Sequence, residues 1–454
     1  MFIGNGFPEI AWPAIPSTQA ARILAMLFEL EHTQWYSSDV IAAHQLDQIR
    51  RVVDFASKTV PFYRDLYGNG KLSLTDWSKF EKLPVVRRRE VQAADASIHS
   101  TAPPKHHGRI GQSLSSGSTG QPIRTLGTEV TRSFWRVFTL RDHFWHRRDL
   151  SGKLAAIRDT DSADVQPPLG KMVDNWGGAT RGILTTGSAA LLTIQSTIDE
   201  QVDWLDRIEP NYLMIYPSTG LALAKRFLES GRRLKQLREV RTFGEVLEPK
   251  TRQAIREAFD VGVVDTYSSQ EVGYIALQCP QSANYHVQSE NLLVEILDNA
   301  GRPCMPGQVG RVVLTTLHNF AMPLIRYELG DYAEVGPPCP CGRGLPVLTR
   351  ILGRQRNILT MPDGSQQWPT LSRGGQPNSL PPIQQFQLIQ RTISQLEAQV
   401  VTPAPLSDDD ELTLIRYLQQ TLGYPFDIAI SRVPGIPRSP SGKYEDFKSD
   451  LITG

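Results

Sequence analysis

Residues 114 to 122 read Leu-Ser-Ser-Gly-Ser-Thr-Gly-Gln-Pro, placing four hydroxyl side chains (Ser115, Ser116, Ser118, Thr119) and two glycines (Gly117, Gly120) in six positions. Glycine frees the backbone to bend, and closely spaced N–H and O–H donors can then face one point, which suits a polyphosphate. The stretch is not the common P-loop, because Gly120 is followed by Gln121 and Pro122 instead of Lys and Ser or Thr. Positive charge for a phosphate must therefore come from elsewhere in the chain. Standing alone, such a Ser/Gly run is more often a flexible connector.

Three later stretches carry matching chemistry. Tyr267-Ser268-Ser269-Gln270-Glu271 gathers an aromatic ring, polar side chains and a carboxylate; the ring can stack on a purine and the carboxylate can hold magnesium beside a triphosphate. Arg326-Tyr327-Glu328-Leu329-Gly330-Asp331 ends in a Gly-Asp pair, an ordinary turn that is also a standard grip on the two hydroxyls of a ribose. Ser441-Gly442-Lys443 presents a lysine on a hinge close to the end of the chain, where an exposed lysine is usually plain surface. The Arg87-Arg88-Arg89 cluster and the His106-His107 pair read as solvated surface. Cys279, His286, Cys339 and Cys341 together supply three thiolates and an imidazole, the donor set of a closed structural zinc site. Unrelated buried thiols are the alternative. A closed site has no open position for substrate, so its expected role is to pin the Cys339 loop to the sheet near Glu271.

These residues need a framework. Apolar residues recur at helical spacing from Thr18 to Glu31 and from Ser37 to Ala56, the second run ending at Val60-Pro61-Phe62-Tyr63. From Thr197 onward helices and strands alternate: a helix opened by the Thr197/Glu200 capping pair and stopped at Pro210, a strand from Tyr212 to Tyr216, a helix from Thr219 to Ser230, a strand from Val240 to Phe243, a helix from Pro249 to Phe259, and a strand from Val261 to Thr266. Such alternation predicts a doubly wound α/β sheet whose ligands lie beyond the carboxyl ends of its strands, where Gly244-Glu245 and Tyr267–Glu271 fall. Short strands come next, from Leu292 to Ile296 and from Gly310 to Thr316. After a Pro/Gly/Ser/Gln-rich boundary at 361–382, a β-β-α-β unit is expected, with strands Ile383 to Gln390, Leu396 to Val401 and Phe426 to Val433 around a helix from Asp409 to Leu422.

At 454 residues, with 40% hydrophobic and 21% charged residues, the composition is that of a globular protein of two or three domains. Forty-eight basic residues against 47 acidic ones give a net charge of +1, which asks for neither nucleic acid nor an anionic membrane. No signal-peptide pattern and no run of spanning length is present, so a cytoplasmic protein without membrane insertion is expected. Four cysteines are too few for a disulfide scaffold of this size.

The order of these segments, Ser115 to Pro122, Phe243-Gly244-Glu245, Tyr267 to Glu271, Arg326 to Asp331, Gly353-Arg354 and Ser441-Gly442-Lys443, resembles the motif series of adenylate-forming enzymes. The helical start ending Val-Pro-Phe-Tyr-Arg, the loop without a following lysine and the Cys-His-Cys-x-Cys set most resemble the phenylacetate-CoA ligase branch. The resemblance implies an α/β protein with a large N-terminal domain (1–353) of layered sheets and helices and a small mobile α+β C-terminal domain (354–454) carrying Lys443. It further implies that Ser115, Ser116, Gly117, Ser118, Thr119 and Gly120 hold the β- and γ-phosphates of ATP, that Gly244 and Glu245 border the adenine, that Tyr267 stacks on it, and that Ser268 belongs to the nucleotide site. Glu271 would bind Mg²⁺. Asp331 would take the ribose hydroxyls with help from Arg354, and Lys443 would bridge the substrate carboxylate and the α-phosphate before the C-terminal domain swings about a hinge at Arg356.

In activity, the resemblance implies an ATP-dependent ligase that activates a small, aromatic carboxylic acid as its adenylate and passes it to CoA. Trp176, Gly177, Gly178, Tyr216 and Pro217 are candidate pocket lining, with the core as their other role. Two departures from the family pattern bear on this. Gln270 replaces a hydroxyl residue before the motif glutamate, and Gln355-Arg356-Asn357 replaces an acidic pair near the hinge, on the face that meets the thiol. The alternatives are transfer to a carrier-protein phosphopantetheine thiol or to an amine, and a silent paralogue serving as a scaffold, against which the intact Glu271 and Lys443 argue. Monomer and homodimer are equally open.

Overall fold

The structure, a computed structural model, describes residues 2–68, 74–114, 123–160, 162–354, 357–369, 383–439 and 443–451. The predicted N-terminal helices form as Thr18–Thr33 and Ser38–Thr59, each opened by a serine whose hydroxyl accepts an N–H of the first turn: Ser17 from Ala20 and Ser37 from Val40. The second stops where Pro61 cannot donate an N–H; Pro61 instead starts the short helix Pro61–Leu66, its fixed φ suiting the first helical turn.

The large domain is organised by a thirteen-stranded sheet. Its parallel half runs Gly262–Ser269, Glu239–Phe243, Tyr212–Ile215, Leu154–Arg158 and Ala189–Thr193, with Lys171–Val173 added antiparallel at that edge. Ile198–Ile208, Pro217–Ser230 and Pro249–Phe259 cover one face through a core that includes Trp204, Leu205, Leu223, Phe227, Val240 and Ile255. Thr18–Thr33 and Glu129–Trp145 cover the other through Ile23, Leu27, Phe138, Leu140, Leu154 and Trp176. With both faces buried, Tyr212–Ile215, Leu154–Arg158 and Ala189–Thr193 are largely apolar, and the C-terminal ends of the parallel strands open onto one edge.

Beyond Gly262–Ser269 the sheet continues antiparallel through Gly273–Gln278, Tyr285–Val287, Val347–Arg354, Tyr327–Val335, Val309–Thr316 and Leu292–Leu297. Val86–Arg87 pairs with Tyr327–Val335 in parallel and brings the start of the chain to this half.

A second, separate core lies in the C-terminal module. There Leu388, Leu396, Ala398, Leu414, Leu418, Phe426 and Phe447 pack between a four-stranded sheet and the helix Asp408–Leu422. The sheet order is Asp427–Arg432, Gln395–Val401, Gln385–Gln390, Phe447–Ser449. The last strand is an addition to the predicted β-β-α-β unit; at three residues it is too short to show a period in the sequence. Arg354 ends a strand of the large sheet, whereas Leu359 is already part of the second core. Among the described residues no helix is long and apolar enough to cross a membrane.

Candidate active site

The antiparallel turn from Gly262–Ser269 into Gly273–Gln278 places Glu271. Ser269 pairs with Gly273, whose φ of +76° closes the turn in a conformation glycine takes without strain. A register shift between Tyr267 and Ser268 bends the strand just before it. Glu271 is only 7% exposed. Arg88 Nη1 donates to Glu271 Oε1 at 2.7 Å. Arg88 opens the short helix Arg88–Ala94, directly after the strand Val86–Arg87 has paired with Tyr327 and Glu328. The Arg87–Arg89 cluster is therefore not all solvated surface: its middle residue faces the site. A run of like charges shows no period in the sequence, and only the parallel pairing of Val86–Arg87 sets its direction.

Asp331 lies opposite Arg354 on adjacent strands, with Arg354 Nε 3.7 Å from Asp331 Oδ1. The Tyr267 hydroxyl donates to Asp331 Oδ2 at 2.9 Å. Burial, and then the negative Asp331, push the Tyr267 pKa far up, so the phenol keeps the proton it donates. Tyr267 itself is 7% exposed and belongs to the core of the antiparallel half, which leaves little of its ring to meet a base. Ser268 pairs with Tyr274, and the buried Ser269 Oγ finds no partner among the described residues.

Gly244 and Glu245 follow the strand Glu239–Phe243 at its carboxyl end. Gly244 has φ +79°, and a Cβ there would sit 3.0 Å from Tyr216 Cε1 and 3.6 Å from Lys443 Cε. The lysine thus reaches the large domain from the C-terminal module. Its ammonium is pulled below the usual lysine range by burial and then by the Arg354 guanidinium, while Asp331, Glu245 and Glu271 act in the opposite sense. Four predicted site residues from separate segments are thus its electrostatic neighbours.

The predicted phosphate loop, Ser115 to Gly120, and the hinge residue Arg356 lie outside the described residues. Of the proposed pocket lining, Trp176 is a core residue: its indole N–H donates to the Gly152 carbonyl at 2.8 Å, and its ring meets His143 and Tyr212 edge-on. Gly177 and Gly178 border open space, and Tyr216 packs on Phe243 with ring centres 4.7 Å apart beside Pro217, the first residue of its helix.

Cys279, His286, Cys339 and Cys341 converge, with one donor atom of each lying within 4.8 Å of the others. Cys339 Sγ is 3.8 Å from Cys279 Sγ, and Cys341 Sγ is 3.3 Å from His286 Nε2. A tetrahedral zinc with Zn–S bonds of about 2.3 Å would set two sulfurs about 3.8 Å apart, so the donor set fits that ion. His286 is fully buried and its pKa falls to about 4 through burial, leaving the imidazole neutral as a ligand must be. The cluster is not beside Glu271, however. Cys279 and Glu271 sit at opposite ends of the strand Gly273–Gln278, separated by about 20 Å of extended chain. What the cluster ties down is the loop before Val347–Arg354, where the Gly344 N–H donates to the Gln34 carbonyl and Arg343 stacks on Trp35 and Trp145.

Residues 378–450 match the CapK C-terminal domain family. The phenylacetate-coenzyme A ligase of Thermus thermophilus is 27% identical over 343 residues, covering 70% of this chain and 71% of that one. The phenylacetate-coenzyme A ligase of Pseudomonas putida is 24% identical, covering 73% of this chain and 74% of that one. Over some 70% of its length the chain is thus similar to phenylacetate-coenzyme A ligases. The fold of this ligase-like chain agrees with that of 2-hydroxyisobutyryl-CoA ligase in its postadenylation state with R3-HIB-AMP, at a TM-score of 0.69 and 19% identity over 92% of both chains.

Proposed function

We infer that the protein is an AMP-forming acid–CoA ligase: a carboxylate oxygen attacks the α-phosphorus of ATP and releases pyrophosphate, and the CoA thiolate then attacks the acyl carbon and releases AMP. The observation that carries this reading is the arrival of Lys443, from the C-terminal module, among Glu245, Glu271, Asp331 and Arg354. During the first step oxygen charge builds up around phosphorus, and a fixed cation in a site shielded from water stabilises that charge most. Lys443 is proposed to supply it between the acid and the α-phosphate.

Asp331, oriented by Tyr267 and accompanied by Arg354, is proposed to hold the ribose diol. The unpartnered Ser269 Oγ suits a phosphate oxygen as its missing partner. Glu271 would hold Mg²⁺, which when bound neutralises phosphate charge. The Arg88 guanidinium now seated on Glu271 would then be displaced towards the phosphates, providing the positive charge that the lysine-free loop lacks. The domain boundary is proposed at 353/354, at the end of the strand Val347–Arg354. An aromatic acid is the preferred substrate, by analogy with the named activity of the relatives.

The test is release of pyrophosphate from ATP across arylacetic, aryl and aliphatic acids, with and without CoA. The reading expects acid-dependent pyrophosphate release, strongest with an aromatic acid, and a CoA thioester only when CoA is present. Acid-dependent release with no thioester would instead assign another acceptor.

The Cys/His cluster is proposed to hold a structural zinc, since its four donors leave no position open for chemistry. Purified protein is expected to contain about one zinc per chain by elemental analysis, and stripping it with a strong chelator should lower the thermal midpoint. Metal-free protein with an unchanged midpoint after chelation would remove the assignment.

A further inference from the structure

Glu245 lies next to Gly244, and its carboxylate is engaged by groups of the protein itself. Its side chain is 8% exposed. Oε2 accepts the Ser218 N–H at 2.9 Å, and Oε1 accepts the Ser218 hydroxyl at 3.1 Å and the Tyr444 N–H at 2.7 Å. Arg438 Nη1 donates to Ser218 Oγ at 3.0 Å and stands 4.0 Å from Glu245 Oε1. Ser218 belongs to the first turn of the helix Pro217–Ser230 in the large domain, whereas Arg438 and Tyr444 flank Lys443 in the C-terminal module. Ser439 and Lys443 are tied together: the Lys443 N–H donates to Ser439 Oγ at 3.2 Å, and the Ser439 N–H donates to the Lys443 carbonyl at 2.8 Å.

We propose that Glu245 is a positioning residue, a latch in the large domain that grips the lysine loop on both sides of Lys443 and so fixes the ammonium for adenylate formation. The proposal rests on the adenylation reading above. A buried carboxylate needs several donors, and here two of the groups around it come from the module that must later leave. Only the docked arrangement satisfies Glu245 fully; once the module rotates away, Ser218 alone remains. The latch therefore favours the first half-reaction and is silent in the second, when Lys443 has withdrawn.

The experiment separates the halves. In Glu245→Ala, ATP-dependent adenylate formation should fall about 30- to 100-fold in kcat, the loss expected for a buried charged hydrogen-bond partner. KM for ATP should stay nearly constant, and the reaction of a supplied acyl adenylate with CoA should keep its wild-type rate. Glu245→Gln, which keeps one acceptor oxygen, should recover part of the loss. Should Glu245→Ala fail to fold, Glu245→Gln and Arg438→Met carry the test, each with a smaller loss confined to the first half-reaction. A raised KM for ATP with normal kcat would assign Glu245 to the adenine border and overturn the latch, as would equal slowing of both halves. Lys443→Ala in the same assays tells the two readings apart: if it keeps wild-type adenylation, the adenylation reading itself fails; if it loses adenylation while the Glu245 variants do not, only the latch fails.

Discussion

Lys443→Ala is expected to lower acyl-adenylate formation by about 100- to 1,000-fold, the loss typical of one preorganised group that stabilises charge in the transition state. The direction follows from where the ammonium sits. Burial and Arg354 both act against its charge, while the carboxylates of Asp331, Glu245 and Glu271 favour it. Alanine leaves that carboxylate-rich cleft without its mobile cation. The measurement is pyrophosphate release under saturating ATP and acid, alongside thioester formation from a supplied acyl adenylate. The second rate should be retained if, as proposed, the lysine acts only in the first step. Wild-type pyrophosphate release in the variant would show that the charge comes from another group.

The second large effect is on stability and lies under the site. Asp142 is fully buried on the helix Glu129–Trp145, and its Oδ2 accepts from Arg148 Nη1 at 2.6 Å and from Arg241 Nη2 at 2.7 Å. Arg148 Nε also donates to Glu239 Oε1 at 2.6 Å. Arg241 and Glu239 belong to the strand that leads into Gly244-Glu245, so the network bolts a covering helix to the floor of the site. Asp142→Ala takes the shared carboxylate from two buried guanidinium groups, of which Arg148 keeps its bond to Glu239, and is expected to cost about 3–5 kcal/mol, read as a lower midpoint of urea unfolding. Little change in that midpoint would mean that water reaches the arginines.

The pH dependence of the same network has a definite sign. Burial alone would raise the Asp142 pKa, but Arg148 and Arg241 hold it well below the usual carboxylate range. A carboxylate with a depressed native pKa contributes its stability fully above its unfolded pKa of about 3.9, and loses it only as pH falls towards the native value. The network should therefore stay intact throughout the neutral range.

Much of the framework was legible because its causes are local. The Thr197/Glu200 capping box forms as expected, and the helix Pro249–Phe259 keeps its predicted limits, since a proline start and an apolar face at helical spacing need no distant partner. Three of the parallel strands, those holding Leu213, Val240 and Val263, were equally plain from their buried apolar residues, whereas Leu154–Arg158 and Ala189–Thr193 were not read.

Contacts across the chain were not legible. Arg88 reaches Glu271 over 183 positions and Tyr444 reaches Glu245 over 199, and neither pair shares a helix or a strand whose period could announce it. Tyr267 could be taken for a stacking ring from its place after a strand; that its hydroxyl is directed at Asp331 depends on how the antiparallel half folds back. Trp176 shows the converse. A tryptophan beside two glycines suggests a lined pocket, but the carbonyl of Gly152 satisfies its indole N–H and draws the ring into the core.

Arg343 lies over two indole rings, 4.8 Å from the centre of that of Trp35 and 4.4 Å from that of Trp145, only two residues beyond Cys341. Indole emission responds to a charge held against the ring, so loosening this loop changes the light that these two side chains emit. Disturbing the sulfur and nitrogen cluster is therefore expected to shift the emission of these two of the chain's eight tryptophans, a read-out that needs no added dye.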